Sequence, residues 1–169
     1  MKRIRLQIRR GATLFVLALT TAATAQSASS AYERAILAIQ EQIQSGNIDK
    51  ARALLVNAQQ TYPANGGLEN LHGIIAVQKG DSEEAKKEFS KAIRHSPQLT
   101  SAYLNLGRIY VENTAHDPAA TTKALGVYQR ALAITPDSGE ANYYAALLLM
   151  RTGKFALSMQ HLARLRQCK

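Results

Sequence analysis

The chain has 169 residues, 46% apolar and 20% charged, which is long enough for one domain with a continuous core and too apolar for a disordered chain. Its formal charge of +9 invites a nucleic-acid partner, but five of the 21 basic residues fall in the first ten positions; beyond residue 25, sixteen basic residues face twelve acidic ones, or +4. The single cysteine, Cys168, excludes an intrachain disulfide, so the fold must hold by packing.

The first element is an address. MKRIRLQIRR is a basic opening, ATLFVLALT a short apolar run, and Ala23-Thr24-Ala25 offers small residues where a signal peptidase reads. This predicts an export signal over residues 1–25, cut after Ala25, a short linker over 26–31, and a periplasmic or secreted protein. The apolar run is shorter than the roughly 20 residues needed to cross a bilayer, so no permanent span is expected. The alternatives are a membrane anchor formed by the uncleaved signal and, because the first 32 residues lack acid, a mitochondrial presequence.

From residue 32 onward the sequence repeats. Ala51, Leu55, Ala58 and Pro63 recur as Ala85, Phe89, Ala92 and Pro97, and again as Ala124, Tyr128, Ala131 and Pro136. The first step is 34 residues and the second 39, while Gly46 to Gly80 and Gly73 to Gly107 are again 34. Each unit predicts two helices. LENLHGIIAVQK spaces Leu68, Leu71, Ile74, Ile75 and Gln78 by three or four, and SEEAKKEFSKAIRH places Ala85, Phe89, Ala92 and Ile93 on one face with its charges on the other. Gly80 stops the first helix in a left-handed conformation, Asp81 or Ser82 caps the second, and Pro97 forbids its continuation. Gly73 and Gly107 are small where the two helices must approach closely, with Phe89 or Tyr128 filling the space beside them. The longer interval lies in VENTAHDPAATTKALGVYQ, where Asp117-Pro118 reads as a cap followed by a first-turn proline, so the helix is expected to begin about one turn early.

These positions resemble the tetratricopeptide repeat over nearly the whole chain after the signal. The resemblance divides it into repeats 32–65, 66–99, 100–138 with a five-residue insertion, and 139–169, and implies an all-α superhelical array of antiparallel helical hairpins. It further implies a concave groove lined by the first helix of each repeat. The fifth residues of three repeats and the last, Ile36, Asn70, Leu104 and Tyr143, the ninth residues Gln40, Ile74, Arg108 and Leu147, and the twelfth residues Ile43, Val77, Val111 and Met150 would line it. The thirteenth residues add Glu112 and Arg151. Such a surface would hold an extended or helical peptide of a protein partner, oriented by Asn70, Arg108, Glu112 and Arg151. Of the positions that related proteins use to clamp a chaperone's terminal carboxylate, only Asn105 is matched.

Catalytic chemistry has little to stand on. His72, His95, His116 and His161 lie far apart with no metal-ligand spacing, and no phosphate-binding or nucleophile motif occurs, so no catalytic residue, metal or cofactor is expected and the chain does not read as an enzyme. The alternative is a module binding an anion or RNA, because Arg151, Lys154, Arg164, Arg166 and Lys169 follow the last acid, Glu140; the modest charge beyond the signal argues against nucleic acid. Leu157, Met159, Leu162 and Leu165 on the final helix could also supply an edge for self-association.

Overall fold

The computed structural model describes residues 30–115 and 117–166. The expected signal, the cut after Ala25, His116 and Cys168 lie outside them. All described regular structure is helical. It runs as α1 (30–44), α2 (Ile48–Thr61), α3 (Gly66–Gln78), α4 (Ser82–His95), α5 (Thr100–Glu112), a short 3-10 turn (Asn113–Ala115), α6 (Pro118–Ile134), α7 (Gly139–Arg151) and α8 (Phe155–Leu165). The last two residues of the expected linker are already inside α1. No described helix is long and apolar enough to cross a membrane.

The helices pair as hairpins, α3/α4 through α7/α8, the second helix of one packs against the first helix of the next, and α1 shares a core with α2 and α3 through Ile39, Ile43, Leu55 and Ile75. The hairpin tips at Gly46, Gly80 and Gly153 have φ near +75°, a region open to glycine at little cost. Within the second hairpin, a methyl on Gly73 would lie 2.4 Å from Phe89 Cε1; within the third, one on Gly107 would lie 2.6 Å from Tyr128 Cζ. The ring occupies the volume a side chain would need. Ala85, Ala92, Ala124 and Ala131 are fully buried around these rings, which is why the small residues recur at fixed intervals.

Capping is local and specific. Asp81 accepts a hydrogen bond from the Glu84 amide at 3.0 Å, Asn65 from Leu68 at 3.1 Å, and Ser138 from Ala141 at 3.3 Å. In the third hairpin Asp117 accepts from Ala119 at 2.8 Å, and that bond, with Lys123 beside it, holds the Asp117 carboxyl below its ordinary range. Ala124 is the seventh residue of α6, whereas Ala85 is the fourth of α4. Three of the five inserted residues therefore extend the helix. The other two lengthen the connection, which spans 79–81 in the second hairpin and 113–117 in the third.

One expected segregation fails. Glu88 is 1% exposed on the face of α4 that packs inward, so the charges of this helix do not all face solvent. Its oxygens engage Lys91 and, at 3.3 Å, Nδ1 of His72 on α3. Lys91 of the same helix and His72 of the facing one thus share the buried carboxylate. A second such pairing joins Glu69 of α3 to His95 Nδ1 of α4 at 2.7 Å.

Candidate protein-binding groove

The first helices α1, α3, α5 and α7 follow one another along the array, and two hollows open between them. The larger, about 410 Å³, lies against α1, α3 and the start of α5. Its apolar lining includes Tyr32, Ile36, Leu37 and Leu99, with Gln40 and Asn70 beside them. The smaller, about 180 Å³, brings Ile74 and Val77 against Arg108 and Glu112, with the Phe89 ring at its side.

A chain of hydrogen bonds runs across three repeats between these elements. Asn105 Nδ2 donates to Asn70 Oδ1 at 2.9 Å, and Arg108 Nη1 donates to Asn105 Oδ1 at 3.0 Å. Arg108 Nε then donates to Glu140 at 2.6 Å, and its Nη2 reaches the second Glu140 oxygen, making a two-pronged guanidinium–carboxylate pair. The Glu140 hydrogen bond raises the Arg108 pKa above its already high value, so the charge is fixed. The geometry explains Arg108's orientation: Glu140 sits at the start of α7, one repeat further on. A ligand anion would have to displace that carboxylate.

The expected groove residues divide into three sets. Ile36, Gln40 and Asn70 line the larger hollow, and Ile74, Val77, Arg108 and Glu112 the smaller. Tyr143, Met150 and Arg151 are exposed on α7 outside both, with Leu147 half-buried among them. Ile43 departs from expectation: it packs in the core with Ile39, Leu55 and Ile75 and lines neither hollow. Leu104 and Val111 are half-buried against the core formed around Tyr128, which leaves the twelfth-residue stripe broken. The physical reason is that each first helix is squeezed between two neighbours, and these side chains fall on the packed side of the boundary. Arg151 bends away to donate to Thr114 Oγ1 at 2.9 Å, tying α7 to the elongated tip.

Tyr32, Leu37, Leu99 and Glu140 belong to this surface and were not among the expected residues. The first three precede or follow the positions implied by resemblance. Spacing alone carries no signal for Glu140, because its partner lies 32 residues away. Aromatic contacts enclose the α7 side: Tyr128 stacks on Tyr144 with centroids 5.2 Å apart, and Tyr143 meets Tyr144 edge-on at 5.2 Å. The Tyr128 hydroxyl is buried without a hydrogen-bond partner among the described residues, and burial, then the nearby Glu140 charge, pushes its pKa upward.

One set of possible metal ligands forms that sequence spacing did not reveal. One ligand atom each from His72, Glu84 and Glu88 lie within 4.8 Å of one another, since hairpin closure brings α3 onto α4. The same groups are engaged by cations: Lys91 binds Glu88, and Lys87 binds Glu84 at 2.9 Å, lowering the Glu84 pKa. Here the cluster acts as a polar staple between the two helices.

A solenoid of helical hairpins with apolar hollows on its first helices defines the class of protein as a repeat scaffold. The sequence profile of the tetratricopeptide repeat matches residues 70–122 and 121–169, more than half of the chain, and the chain belongs to that family. Solved structures carry the same fold. The crystal structure of MamA superimposes with a TM-score of 0.67 at 16% identity, over 80% of this chain and 77% of that one. A tetratricopeptide repeat protein from Parabacteroides merdae gives 0.66 at 24% identity, over 80% of this chain and 52% of that one. A chain of the APC/C Cut9–Hcn1 hetero-tetramer gives 0.67 at 18%, over 82% of this chain and 27% of that one. No curated protein matches the chain.

Proposed function

We propose that this protein is an exported scaffold that holds an extended or helical peptide segment of a protein partner against its first helices, in the assembly of an envelope complex. Membership of a repeat family whose solved relatives include a chain of a multiprotein complex supports the interaction role. The observation that carries the peptide reading is the Asn70–Asn105–Arg108–Glu140 chain of hydrogen bonds flanked by Ile36, Leu37 and Val77. It offers polar edges for backbone groups beside hollows for apolar anchors, ordered before binding, so the ligand bears most of the ordering cost. Export rests on the basic opening, apolar run and small residues of positions 1–25.

Photo-crosslinking from Val77 and Tyr143 in the native cell, read by mass spectrometry, identifies the partner. Replacing Arg108 and Tyr143 together should then weaken its capture while leaving the helical signal intact. Capture that survives both changes would sink this reading. A steep fall in affinity with salt would transfer the function to the anion-binding alternative at Lys154, Arg164 and Arg166.

A further inference from the structure

The two ends of the array differ from its interior at matching places. At each internal junction a second helix lays one flank on the following first helix. On α6 this flank carries Leu125 and Leu132, in the same core cluster as Leu148 of α7; on α4 it carries Ile93, packed with Ile109 of α5. At the corresponding places α8 has Met159 and Arg166, with Phe155 a turn earlier. Phe155 is 65% and Met159 63% exposed, against 8% for Leu132. Among the described residues nothing covers this flank.

The substitution at the other end is complementary. Ile75, Ile109 and Leu148, each at most 2% exposed, are the residues that first helices offer to the preceding hairpin. The matching residue of α1 is Glu41, which is exposed. Thus two of the three internal junctions bury apolar residues together, Ile93 with the cluster of Ile109 and Leu132 with that of Leu148, and the first has the uncharged Gln59 at the matching place of α2, where the ends present the charged Arg166 and Glu41. Ala38 of α1 stands where α7 has the fully buried Ala145, so the approach is as open as at an internal junction. Pairing α8 with another α8 would instead oppose Arg164 and Arg166 to their own copies, since α8 carries no acid.

We propose that α1 of a second copy docks on the open flank of α8, joining copies head to tail, with Phe155 and Met159 covered and Glu41 of one copy facing Arg166 of the next. The contact repeats an internal junction, so it is heterologous and extends rather than closing at a dimer. Its specificity comes from the charge pair and its driving force from the apolar flank.

Sedimentation velocity of the full chain should show mass rising with concentration without a fixed endpoint. Glu41→Arg and Arg166→Glu should each weaken association about tenfold or more, because like charges then meet at the joint. Phe155→Asp should do the same. An equimolar mixture of Glu41→Arg and Arg166→Glu should recover assembly, since each variant's altered end now complements the other's, and so should the chain carrying both changes. Circular dichroism on each variant separates lost association from lost fold. A wild-type chain that stays monomeric, a closed dimer insensitive to either reversal, or a mixture that fails to recover would overturn the proposal.

Discussion

The third and fourth hairpins share a fold and differ in how much of it is enclosed. In the third, α6 lies between α5 and α7, and Tyr128 and Ala131 are fully buried. In the fourth, α8 has α7 on one side only. Ser158 is the single buried residue of α8, and Leu162 and Leu165, which stand where Tyr128 and Ala131 do, remain half-exposed. The difference shows that a hairpin's own sequence closes only half of its second helix. The following repeat supplies the rest, as expected of an array stabilised through nearest-neighbour interfaces.

This contrast can be broken most strongly at the rings. Tyr128→Ala should cost about 3 to 5 kcal/mol in urea denaturation, as for large aromatic truncations in a packed core, and Leu162→Ala less than half as much. Equal losses would show that α8 is enclosed after all. Gly107→Ala should cost about 1 to 3 kcal/mol by forcing a methyl into the Tyr128 ring, measured the same way. Gly126→Ala in the following helix, where the added methyl meets nothing within 4 Å, should not destabilise. Tyr128→Phe removes a buried hydroxyl without a partner and should raise stability by about 1 kcal/mol.

A proton should tell the two hairpins apart. His161 Nδ1 lies 2.9 Å from Asn142 Oδ1, and the Asn142 amide nitrogen is spent on the carbonyls of Pro136 and Ser138. Asn142 must therefore accept, and His161 must donate from Nδ1. Burial, with Arg164 nearby, lowers the His161 pKa below its ordinary 6.5. The neutral ring is favoured on folding, so this contribution is present above about 6.5 and is lost as pH falls through the lowered value. Hydrogen exchange at pH 7.5 and 5.5 should show α7 and α8 loosening in acid ahead of the rest, and His161→Gln should flatten that response. The smallest effect belongs to the junction between the two hairpins: Thr114→Val removes the acceptor for Arg151 and should change stability by no more than about 0.5 kcal/mol in a thermal melt.

Much of this architecture was legible because a repeated contact leaves a repeated residue. Gly73 against Phe89 and Gly107 against Tyr128 are one contact made twice, and a step of 34 exposes it without any knowledge of orientation. The early start of α6 was readable for a different reason, since Asp117 and Pro118 act within a single turn. What escaped was decided by how helices rotate against each other. The inward turn of Glu88 needs His72 from the other helix of its hairpin, and Arg108 finds Glu140 only once α7 is in place. Ile43 and Val77 occupy the same place in successive repeats, yet one is core and the other surface. Periodicity assigned them one role, and the unequal neighbours of α1 and α3 gave them two.

The packing of each helix on its immediate neighbours also sets how the molecule meets mechanical load. Among the described residues the helices pack only within a repeat or against the next one, so tension along this part of the chain finds no distant clasp to break first. Drawn from its C-terminal side, the array should peel hairpin by hairpin, α7/α8 ahead of α5/α6, and a freed hairpin can zip back onto the surface it left. Such a protein yields in small reversible steps, a compliant link between whatever it joins.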